Sequence, residues 1–74
     1  MPRYFFNVVN DVRAPDFDGV VLPNLQTAKG EAEKDIVDIK ESHFKMLSGD
    51  WSKWSIEICD QKDAVLLVVP FSSN

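Results

Sequence analysis

One apolar stripe in the middle of the chain limits most of what can be built from it. Leu25, Ala28, Ala32, Ile36, Ile39, His43 and Leu47 step by 3, 4, 4, 3, 4 and 4 residues, the spacing at which side chains share one face of an α-helix. Pro23-Asn24 stands before the stripe and Ser48-Gly49 after it. Asn24 is therefore placed to cap the first turn, and Gly49 to take the left-handed position that ends a helix. The spacing predicts one helix of roughly six turns, about 34 Å long. Gly30 inside it costs roughly 1 kcal/mol against Ala, and allows close approach only if it faces the sheet.

A single stripe buries one helix face, so the helix needs a partner layer. The flanking segments supply strands. Residues 3 to 10 are rich in aromatic and β-branched types, and their alternation puts Tyr4, Phe6 and Val8 on one face and Arg3, Phe5, Asn7 and Val9 on the other. The first set is assigned to the core. "NDVRAPDFDG" at 10–19 reads as a loop or wide hairpin connection into a short strand at 19–22. After the helix, Trp54, Ile56 and Ile58 alternate with Ser55, Glu57 and Cys59, a half-buried strand. "DQKD" makes a polar turn, and Ala64 to Phe71 is apolar on both faces, which predicts a central strand. The expected fold is α+β: a two-layer β-β-α-β-β arrangement, with a mostly antiparallel four-stranded sheet and one long helix on one face.

Seventy-four residues make a single domain, 1–74, with a small core. A partner subunit often supplies the stability that such a core lacks. The only cysteine is Cys59, which excludes an internal disulfide. With no secretory pattern at the N-terminus, it points to a reducing, cytoplasmic setting. The longest apolar run is far short of the ~18–20 residues needed to cross a bilayer, so no membrane partner is expected. Eight Lys and Arg against twelve Asp and Glu give a formal net charge of −4. The cations are spread singly from Arg3 to Lys62, a poor match to a phosphate backbone.

Several stretches together resemble a family of short uncharacterised, domain-of-unknown-function proteins of rhizobia and related alphaproteobacteria. They are "MPRYFF" at 1–6, "DG" at 18–19, "LPNL" at 22–25, Ala28, "EA" at 31–32, Trp54 with Ile56, Ile58 and Asp60, and "VPF" at 69–71. The resemblance implies a bacterial, cytoplasmic, stand-alone domain and carries no activity or site. In relatives His often stands where this chain has Asn7, and Gly where it has Asp63.

Chemistry-bearing patterns are few. Cys59, His43 and an Asp would be the minimum for nucleophilic catalysis, but His43 lies on the helix stripe and Cys59 has the parity opposite to Ile56 and Ile58, which sets the sheet between them. One His and one Cys cannot fill a zinc shell, and Asp11, Asp16 and Asp18 lack the calcium-loop pattern. No catalytic residue, metal or cofactor is expected. Glu31, Asp35 and Asp38 share a helix face with Lys34, and this reads as a solvated surface.

Two apolar surfaces carry the functional expectation. The first is the sheet face away from the helix, with Arg3, Phe5, Asn7 and Val9 as its candidate interface. It is covered either by a second subunit or by the 11–19 loop with Phe17. The second is the helix end, where His43, Phe44, Met46 and Trp51 form an aromatic and Met-rich cluster, alternatively a satellite core under "SGDWSKW". The expected function is a non-enzymatic protein-interaction or regulatory module, self-associating or bound to another protein. One alternative is single-stranded nucleic-acid binding, since Arg3, Phe5 and Asn7 alternate like residues of a stacking platform. A second is a small enzyme with an unrecognised site.

Overall fold

The structure, a computed structural model, describes residues 2–43 and 51–73, with the side chains of Ser42, His43 and Ser73 outside that description. The chain forms β1 (Arg3–Val9), β2 (Arg13–Ala14), β3 (Val20–Val21), α1 (Leu25–His43), β4 (Ser55–Cys59) and β5 (Val65–Pro70), closed by a 3-10 turn at Phe71–Ser73. The α+β class is as the alternation and the stripe require. The helix end at 44–49, including the Ser48-Gly49 stop, lies outside the described residues.

All strand pairs are antiparallel, in the order β2-β1-β4-β5, with β3 also paired to β1. Among the described residues the sheet thus has five strands rather than four. The segment returning from β1 pairs with it twice, at Val8↔Ala14 and Val9↔Arg13 and again at Arg3↔Val21 and Tyr4↔Val20. Residues 15–19 bulge out between the two pairings. The amide of Phe6, beside this gap in the ladder, donates to the Asp16 carboxylate at 3.2 Å.

One expectation is corrected. β5 is an edge strand, not a central one. The apolar character of both its faces suggested burial, yet only Val69 is buried and Leu67 half-buried, while Val65, Leu66 and Val68 are 49%, 41% and 49% exposed. The ladder with β4 also slips between Ile58 and Cys59.

The core lies between α1 and one sheet face: Tyr4, Ala28, Ala32, Ile36, Ile56, Ile58, Val69 and Phe71 are buried together, with Phe6, Val8, Leu25, Ile39 and Leu67 packed against them. The alanines let the helix sit close to the strands, and Ile36 fills the space between. Asn24 Oδ1 accepts bonds from Thr27 N at 2.9 Å and Thr27 Oγ1 at 3.0 Å, so the cap is formed. Gly30 is exposed, and a Cβ there would meet none of the described residues within 4 Å. It therefore serves no close approach among them. Among the described residues no helix is long and apolar enough to cross a membrane.

Candidate functional site

The sheet face away from α1 is built from alternate residues of four strands. Register sets Asn7 beside Glu57 and Glu57 beside Val68, with Phe5 opposite Cys59 and Val9 opposite both Ser55 and Arg13. The returning segment then folds over one half of this face. Asn7, only 2% exposed, accepts a bond from Asp16 N at 2.8 Å and donates to Cys59 Sγ at 3.3 Å. Asp16 in turn accepts from Asp18 N at 3.1 Å and Gly19 N at 3.2 Å through one oxygen, and from Phe6 N through the other. The loop is thus pinned by a buried amide below and a carboxylate within it.

Arg13 reaches across the face from β2. Its Nε donates to Glu57 Oε1 at 3.2 Å and its Nη2 to Asp63 Oδ1 at 3.4 Å. Desolvation pulls the guanidinium down, but the Asp63 and Glu57 carboxylates outweigh it and its pKa stands above the ordinary arginine value. Cys59 is buried on this face, separate from the main core. Burial pushes its thiol pKa up, the Glu57 and Asp63 carboxylates add to the rise, and Arg13 works against it. A neutral thiol with a raised pKa is a poor nucleophile.

Beside this network opens a pocket of about 320 Å³, lined by Phe5, Asn7, Arg13, Pro15, Asp16, Phe17, Asp60, Gln61 and Asp63. Three aspartates face one guanidinium that is already paired, so the pocket favours a cation over an anion. Asp60 Oδ1 is held in its turn by Lys62 N at 2.8 Å and Ala64 N at 3.0 Å, and Asp63 adopts φ +65°. Among the described residues no group of three or more His, Cys, Asp or Glu is placed to hold a metal ion.

The four residues expected on the open face do lie there, with different environments. Arg3 Nη1 donates to Asp18 O at 2.9 Å. The Phe5 ring lines the pocket and packs on Gly19, where a Cβ would lie 2.9 Å from Phe5 Cε2. Asn7 holds the loop from beneath, and Val9 is half-buried. The loop therefore covers part of this face, though not with Phe17, whose ring is 86% exposed. At the helix end, the His43 side chain, Phe44 and Met46 lie outside the described residues. Trp51 is half-buried, stacked on Phe71 at 5.5 Å and 23° and set edge-on to Trp54 at 5.0 Å and 75°. It packs against the main core.

Sequence reasoning missed Arg13 and Asp16, the two side chains that organise this face. A signal for Asp16 existed in "PDFDG", where an Asp precedes a Gly by three residues as in a side-chain-closed turn. Arg13 left none, because its partners are 44 and 50 residues away. A family model described as Domain of unknown function (DUF6894) matches residues 3–72 of the chain. No curated protein and no solved structure matches.

Proposed function

We propose that this chain, which belongs to the family described as Domain of unknown function (DUF6894), works as a non-enzymatic protein-interaction or regulatory module that associates with itself through its open sheet face. The setting proposed is a bacterial cytoplasm. One observation carries the reading: Val65, Leu66 and Val68 are exposed together on an edge strand, within a stretch from Ala64 to Asn74 that holds no charged residue. Exposed contiguous aliphatics of this kind mark contacts with other molecules. A chain with so small a core also gains stability when a second copy covers them. The slip in the β4–β5 ladder distorts the strand, and Pro70 at its end supplies no amide donor. Association therefore goes through side chains of the face rather than by extending the sheet.

Single-stranded nucleic-acid binding finds less support, because the guanidinium of Arg3 is turned to the Asp18 carbonyl and that of Arg13 to two carboxylates. Light scattering on the purified chain tests the proposal. A mass twice the 8.4 kDa of one chain is expected, falling to one chain in a folded Leu66→Lys/Val68→Lys variant. A single-chain mass at every concentration up to several hundred micromolar overturns self-association. A variant that stays double overturns the choice of surface.

A further inference from the structure

We propose that the pocket between the 15–19 bulge and the β4–β5 turn is a docking site for a basic side chain, arginine above lysine, presented by a partner protein. This goes beyond self-association, since it concerns a different part of the face and a partner of opposite charge.

Charge is the first argument. Asp16, Asp60 and Asp63 line the pocket against Arg13 alone, and Arg13 already spans Glu57 and Asp63. The Asp63 side chain remains three-quarters exposed, at 75%, so its carboxylate can accept further donors. An incoming anion would meet three carboxylates against one guanidinium already paired to Glu57 and Asp63, whereas the same excess of negative charge attracts an incoming cation.

The second argument is the aromatic wall. Phe5 and Phe17 both line the pocket, and Phe17 is 86% exposed. A ring that contributes so little to the core is nevertheless carried on a tightly held bulge. Asp16 accepts three backbone amides there, Asn7 a fourth from Asp16 itself, and the Asp18 carbonyl accepts from Arg3. The backbone that carries the ring is thereby held in place. A planar guanidinium can lie against an aromatic face while its edge N–H groups reach carboxylates, a combination an ammonium meets less fully. The volume of about 320 Å³ admits one long side chain and its backbone, not a folded segment.

The test uses the whole chain, labelled for amide NMR, titrated with acetyl-Gly-Arg-Gly-amide, with the Lys and Glu tripeptides as comparisons. Shifts confined to residues 5–7, 15–19 and 60–63 are expected, largest for Arg, smaller for Lys and absent for Glu. Phe17→Ala, which removes an exposed ring and should leave the remaining spectrum in place, is expected to weaken the Arg peptide roughly fivefold, and Phe17→Trp to tighten it. The proposal is overturned if the Arg peptide moves no pocket amide at millimolar concentration. It is equally overturned if Phe17→Ala binds as well as the parent, or if the Glu peptide gives the same shifts. Because the readout is a peptide titration rather than a mass, its failure leaves self-association standing, and a single-chain mass leaves the pocket standing.

Discussion

At the scale of single residues, the side chains that shape the open face act through backbone groups. Gly19 sits at φ +69°, and a Cβ there would come within 2.9 Å of both the Phe5 ring and the Tyr4 carbonyl oxygen. Gly19→Ala is expected to destabilise by roughly 1–3 kcal/mol, combining left-handed strain with a contact that backbone cannot relieve, as measured by urea unfolding. Cys59 predicts a pH dependence. Its folded pKa is raised, so above the ordinary thiol value of about 8.5 the unfolded chain releases a proton that the folded chain still holds. Stability contributed by the neutral thiol is full below that value and declines as pH rises from it toward the folded pKa. Unfolding free energies measured from pH 7 to 10 should show this decline in the parent and a shallower one in Cys59→Ser.

At the scale of elements, the helix divides into a face the sheet uses and a face it does not. The cap at Asn24 satisfies amides of the first turn, and Asn24→Ala should lower stability by about 1 kcal/mol. Gly30 lies on the unused face with open space around it. Gly30→Ala should therefore raise stability by about 0.5–1 kcal/mol, read as a higher melting temperature. A lower one would mean that position 30 meets a group outside the described residues. The stripe that made α1 predictable also named its buried members, Ala28, Ala32 and Ile36, because helical periodicity and burial follow from the same local geometry. The last strand misled for a related reason. An all-apolar segment suits a strand buried on both faces, but equally an edge strand whose second face meets another molecule.

At the scale of the whole molecule, a two-layer α+β fold of radius of gyration 12.1 Å leaves one sheet face without a second layer among the described residues. The loop and Arg13 cover the half near β1 and β2, and β5 keeps Val65, Leu66 and Val68 outward. If a second copy covers them, folding and association are linked, and the melting temperature should climb with protein concentration. Scans over a hundredfold range of concentration check this. A constant midpoint for the parent would separate stability from association, and Leu66→Lys/Val68→Lys should show a constant midpoint in any case.

What the sequence by itself determined is what depends on neighbours a few residues away: the helix with its cap and buried stripe, the strands with Tyr4, Phe6 and Val8 turned to the core, and the α+β class. Only the tertiary structure decided what depends on distant partners. β4 pairs with β1 and leaves β5 at the edge. Asn7 meets Cys59 across 52 residues, and Arg13 meets Glu57 and Asp63 across 44 and 50. Periodicity reports which side of an element is apolar. It carries no information on which element lies next to it, and the pocket with its exposed Phe17 exists only where the bulge, β1 and the β4–β5 turn come together.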